Sequence, residues 1–154
     1  MTTGRDAATV RRRPWGQRPL WQVGLAAALV AAAASVVVYA VARAAGVPME
    51  LTEVFADEFA RMSAVNMVWA ALLEGGLAGT ALAAACRRWA SRPRSSFVAF
   101  AATGLLASFA LPVTSDASTA TKIVLSISHV VVAIIVVPAL AAALPRHAAR
   151  RERA

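Results

Sequence analysis

The chain has 154 residues, 59% of them hydrophobic, and a mean hydropathy of +0.62. These values place it in the membrane class, and spans of about 20 residues each leave little length for a soluble catalytic domain. The net charge of +8 would suit nucleic acid, but the arginines cluster between apolar runs, where they orient spans and meet anionic headgroups, so nucleic-acid binding is set aside. The single cysteine, Cys86, rules out an internal disulfide and any multi-cysteine metal site.

Residues Met1 to Leu20 are polar and basic and read as a disordered cytoplasmic tail, with Trp15 and Trp21 near the headgroups. A signal peptide is the rival reading, since Ala40-Val41-Ala42 has the cleavage pattern. The apolar run from Val23 to Ala42 is too long for an ordinary signal core, which favours an uncleaved span over about residues 21–45. Arg43 near its far end can snorkel, and Gly46 and Pro48 stop the helix.

Residues Met49 to Met62 differ in character. Leu51, Val54, Phe55, Phe59 and Met62 recur at helical spacing, with Glu50, Glu53, Asp57 and Arg61 on another face. The spacing predicts a short amphipathic external helix, with Thr52 as its N-cap. Three further spans follow over about residues 64–85, 96–113 and 120–144, and a basic tail over 146–154. The expected fold is all-α, a four-helix transmembrane bundle.

Charge predicts the orientation. The first tail, the middle linker and the last tail hold 13 of the 16 basic residues, while the other two loops and their helix ends hold Arg43, Arg61 and Lys122. The positive-inside rule then puts both termini in the cytoplasm and the protein in the plasma membrane, with the lipid bilayer as its first partner.

The second span, SAVNMVWAALLEGGLAGTALAAAC, carries Glu74 near its middle. A carboxylate at that depth costs roughly 2.5–3.5 kcal/mol on insertion scales and should face the bundle interior. At 1.5 Å per residue, Glu74 lies roughly 15 Å below the span's start, near the midplane. His129 lies at a similar depth in the fourth span, which runs in the same direction. Lys122, Ser126 and His129 share a helical face by spacing. Glu74, His129 and Ser126 are therefore the candidate buried polar group. It reads either as a proton- or ion-responsive pair or as an interhelical hydrogen bond that fixes register.

Ala71, Gly75, Gly79 and Ala83 form a small-residue stripe that lets another helix approach closely, within the chain or between chains. Gly76 lies off that stripe. One histidine and one carboxylate make too few ligands for a metal, and no cofactor motif, Ser-His-Asp set, phosphate loop or HExxH motif is visible.

The first span ending in VARAAGVPME and the fourth-span run SHVVVAIIVVPALAAALP carry a resemblance. The chain resembles an uncharacterised domain-of-unknown-function family of small four-helix membrane proteins from high-GC Gram-positive bacteria, over most of Trp21 to Pro145. That resemblance implies a fold but no activity. Small multidrug transporters also have four spans and a membrane glutamate, but theirs sits in the first span and their loops are less charge-biased. The leading expectation is a non-enzymatic accessory or structural membrane protein that packs with itself or another membrane protein. The alternative is a small proton- or ion-coupled transporter or channel subunit using Glu74 and His129.

Overall fold

The computed structural model describes residues 18–52 and 59–147. The expected first tail up to residue 17, the middle of the expected surface helix and residues 148–154 lie outside the described residues. Four long apolar helices carry the fold: α1 (Leu20–Ala44), α2 (Ala64–Trp89), α3 (Pro93–Thr114) and α4 (Thr119–Ala143). Each is long and apolar enough to cross a membrane, and the outward-facing residues include Leu29, Val37, Leu77, Leu106 and Ile134. Helices that are apolar all round suit a lipid solvent, because lipid does not penalise the exposed face.

Local sequence sets the helix ends. Ser63 caps α2: its hydroxyl accepts from Asn66 N at 3.3 Å, and the Asn66 side chain accepts from Ser63 N at 3.0 Å. Ser118 caps α4 and accepts from Thr121 N at 3.2 Å. Pro93 stands in the first turn of α3, where its missing N–H costs nothing. Helix α2 continues through Arg87 and Arg88 to Trp89, past the expected span end, since basic side chains in a last turn favour the helix dipole.

The segment between α1 and α2 departs from expectation. Instead of a surface helix, its described ends are two short antiparallel strands, β1 (Glu50–Thr52) and β2 (Phe59–Arg61), with Thr52 paired to Phe59 rather than capping a helix. Met49 explains the change. It is fully buried with φ 54, and its carbonyl accepts from Met62 N at 2.9 Å, which draws the two ends of the segment together. Gly46, at φ 80, turns the chain out of α1, and the Arg43 guanidinium donates to the carbonyls of Val47 and Pro48, each at 3.2 Å.

The helices run up and down, so both ends of the four-helix unit lie at one face. Helix α1 packs along both α2 and α4. Helix α3 lies on the second half of α2 and on α4, and it is buried chiefly through Phe97 near its start. Two apolar cores result. One, at the terminal face, joins Val23, Ala27, Ala31, Ala83, Phe97 and Leu140; the other, at the hairpin face, joins Ala42, Met49, Met67 and Leu125. Between them the middle of α3 packs sparsely, and a Cβ added at Gly104 would meet nothing within 4 Å.

Candidate functional site

The middle of α2 is a π-helix over Ala71–Ala78, and Glu74 and both central glycines lie in it. Wide helical turns of this kind occur mostly as short interruptions, often at functional positions. Here α2 is pressed between two helices, with a glycine toward each. A Cβ on Gly75 would sit 2.6 Å from Val132 Cγ1 of α4, and a Cβ on Gly76 would sit 2.5 Å from Ala28 Cβ of α1. Gly79 is less tight, 3.4 Å from side-chain atoms of Val136 and Leu140.

The stripe of Ala71, Gly75, Gly79 and Ala83 therefore lies within the chain's own bundle. Its two glycines meet α4, and Ala71 and Ala83 are buried. Gly76, expected off the packing face, makes the contact with least room to adjust. Gly24 on α1 likewise faces Thr80, whose hydroxyl lies inside the space a Cβ would need.

Glu74 and His129 are brought together. Glu74 Oε2 lies 3.9 Å from His129 Nε2, beyond a direct hydrogen bond and within ion-pair range. The pair is not enclosed: the His129 side chain is 26% exposed and that of Glu74 is 69% exposed. The other ring nitrogen is committed, with Nδ1 lying 2.8 Å from the Leu125 carbonyl. A carbonyl only accepts, so this bond puts the proton on Nδ1, and a neutral ring turns a bare Nε2 toward Glu74. One proton can then reside on the carboxyl or on Nε2, with the imidazolium facing a carboxylate.

Ser126 does not join them. Its hydroxyl donates to the Lys122 carbonyl at 2.9 Å, and it lines a separate groove with Phe109, Ile123 and Ile127. Lys122 Nζ donates to the Val113 carbonyl at 3.1 Å, so the polar stripe expected from spacing is split. The serines beside the pair are Ser128 and Ser35, which sequence reasoning did not single out. Both are buried, at 7% and 1% exposure, and neither hydroxyl has a hydrogen-bond partner among the described residues. Thr103, Ser108 and Thr114 instead donate to carbonyls one turn back on their own helices. The available signal was the antiparallel pairing of α1 with α4, which sets Ser35 and Ser128 level.

Ser35, Glu74, Ser128 and His129 all line one cleft of about 520 Å³ between α2, α3 and α4. Its remaining walls are apolar, including Met67, Leu82, Phe97, Phe100, Leu105 and Val136. Phe97 closes it toward the terminal face, and the middle of α3 forms its sparsely packed wall. Among the described residues no group of three histidine, cysteine, aspartate or glutamate side chains could hold a metal ion.

No curated protein and no solved structure matches the chain. Residues 16–146, which take in the four helices and every residue of the cleft, match a family of unknown function, DUF6069, and the chain belongs to it.

Proposed function

We propose that this protein is a small proton- or cation-coupled membrane transporter or channel subunit that works through the cleft between α2, α3 and α4. The observation that carries the proposal is the placement of Glu74 and His129, 3.9 Å apart, on the wall of a cleft of about 520 Å³. A pair serving only to fix helix register would be best sealed, because an ionisable group left open to lipid is costly. Glu74 instead lines the cleft with its side chain 69% exposed, so an occupant can reach the carboxylate. The reading is non-enzymatic: among the described residues neither Ser35 nor Ser128 is hydrogen-bonded to His129, so no nucleophile–base pair is set up.

The terminal face carries Arg18, Arg87, Arg88, Arg92, Arg94 and Arg146, and it forms the cytoplasmic side in this reading. At the hairpin face, Arg43 and Lys122 are each bonded to loop or helix-end carbonyls. Exposed Trp21 and Trp89 lie at the ends of α1 and α2 on the terminal face, as headgroup anchors would.

A second reading follows from the exposure of Glu74 and the sparse contacts of α3. An accessory membrane protein would use the same opening to receive a helix of a partner or of a second copy, which would cover the carboxylate. The two readings part under an apolar carbodiimide, which labels protonated carboxyls in membranes. Glu74 is the sole carboxylate in the four long helices. The purified protein in nanodiscs should take one adduct at Glu74, with yield falling as pH rises. Absence of the adduct at every pH, or its persistence in Glu74→Gln, overturns the transport reading. Labelling that appears only after a co-purifying protein is stripped away favours the accessory one.

A further inference from the structure

The polar groups of the cleft form an unbalanced set. Glu74 offers carboxylate oxygens, His129 offers a bare Nε2 once Nδ1 is bonded to Leu125, and Ser35 and Ser128 offer hydroxyl oxygens that meet no donor among the described residues. Acceptors outnumber donors, and the formal charge carried there by Glu74 is negative. Thr103, Ser108, Thr114 and Ser126 donate to carbonyls on their own helices; Ser35 and Ser128, both at least nine-tenths buried, have no hydrogen-bond partner among the described residues. Buried polar groups left in this state call for a partner.

The walls exclude a bare inorganic ion as the best occupant. A metal ion of this charge class seeks several oxygens in a small cage, whereas this cleft is about 520 Å³ and mostly apolar. That volume lies within the usual range for organic ligands, roughly 300–1,000 Å³. Phe97 and Phe100 present aromatic rings, which attract cations, and Met62 and Met67 supply adaptable thioether walls.

From this juxtaposition we infer that the cleft binds an apolar organic amine as its ammonium ion, with N–H groups donating to Glu74 and to the bare Nε2 of His129. The inference rests on the functional reading above and names its substrate class. No other titratable side chain lines the cleft among the described residues: α1 and α3 contribute serine and apolar groups, and Lys122 faces elsewhere. When the pair holds one proton, entry of the ammonium displaces that proton to water, and the charge of the site is conserved.

Benzhydrylamine, its neutral counterpart benzhydrol and the trimethylammonium analogue separate the contributions. Binding is measured calorimetrically on the whole protein in nanodiscs, with Glu74→Gln as the control for partition into lipid. The amine should bind about tenfold or more tightly than benzhydrol, the ratio expected for one charge-assisted hydrogen bond. It should also bind more tightly than the trimethylammonium compound, which has no N–H. Glu74→Gln should remove the preference over benzhydrol. His129→Phe should keep that preference and reduce the one over the trimethylammonium compound, since one N–H acceptor is removed and Glu74 remains. Equal binding of amine and benzhydrol by the wild-type protein overturns the inference without any variant. Carbodiimide labelling of Glu74 in that same case leaves the proton-binding reading standing and rejects only the amine; loss of labelling rejects both.

Discussion

Gly76→Ala is the sharpest test of the packing. The added Cβ would lie 2.5 Å from Ala28 Cβ, and Ala28 has no rotamer by which to retreat. Ordinary carbon contact is about 3.5–4.0 Å, so α1 or α2 must shift by about 1 Å. Overpacking of that kind costs about 1–3 kcal/mol, offset by up to about 1 kcal/mol from replacing glycine inside a helix. The same change at Gly79 meets Val136 and Leu140 side-chain atoms at 3.4 Å, which can rotate away. Gly79→Ala should therefore be neutral or stabilising, and Gly76→Ala destabilising by about 1–2 kcal/mol. Ala28→Gly should relieve Gly76→Ala, with a coupling of at least about 0.5 kcal/mol in a double-mutant cycle. Unfolding in mixed micelles by a denaturing detergent supplies the free energies. Equal costs at Gly76 and Gly79, or additivity of Gly76→Ala with Ala28→Gly, would refute the assignment of Gly76 to the α1 contact.

Glu74→Gln and His129→Ala should be non-additive by about 0.5–2 kcal/mol in the same assay; additive costs would mean that the 3.9 Å approach carries no energy. Ser126→Ala should change stability by less than about 0.5 kcal/mol and leave carbodiimide labelling of Glu74 unaltered, since its hydroxyl serves only its own helix. Phe97→Ala, at 1% exposure, should cost about 3–5 kcal/mol if the terminal core behaves as a protein interior, and a cost below about 1 kcal/mol would place Phe97 in lipid. For orientation, a membrane-impermeant thiol reagent added to intact cells should modify Asp116→Cys and not Arg92→Cys in a Cys86→Ala background; the reverse pattern inverts the topology.

The sequence by itself determined what varies along the membrane normal. Apolar length marks four helices, and loop arginines distinguish one face from the other. The rise per residue sets the depth of Glu74 and of His129. These are one-dimensional quantities, and the bilayer reads them directly. What the tertiary structure decided is azimuth. Helices that are apolar on every side have almost no amphipathic direction, so spacing cannot say which face meets which neighbour. That is why Ser126, one turn from Lys122, looked like a partner of His129, while Ser128 and the distant Ser35 line the cleft. It is also why Gly76 looked free: the π-helical turns over Ala71–Ala78 alter the angular step, and α1 closes on a face that a regular helix would turn elsewhere. The pairing of β1 with β2 was also decided in three dimensions, where buried Met49 at positive φ accepts from Met62 N. The cleft itself arises because α3 is anchored at Phe97 and sparsely packed in its middle, a property of how four helices share their contacts and not of any one of them.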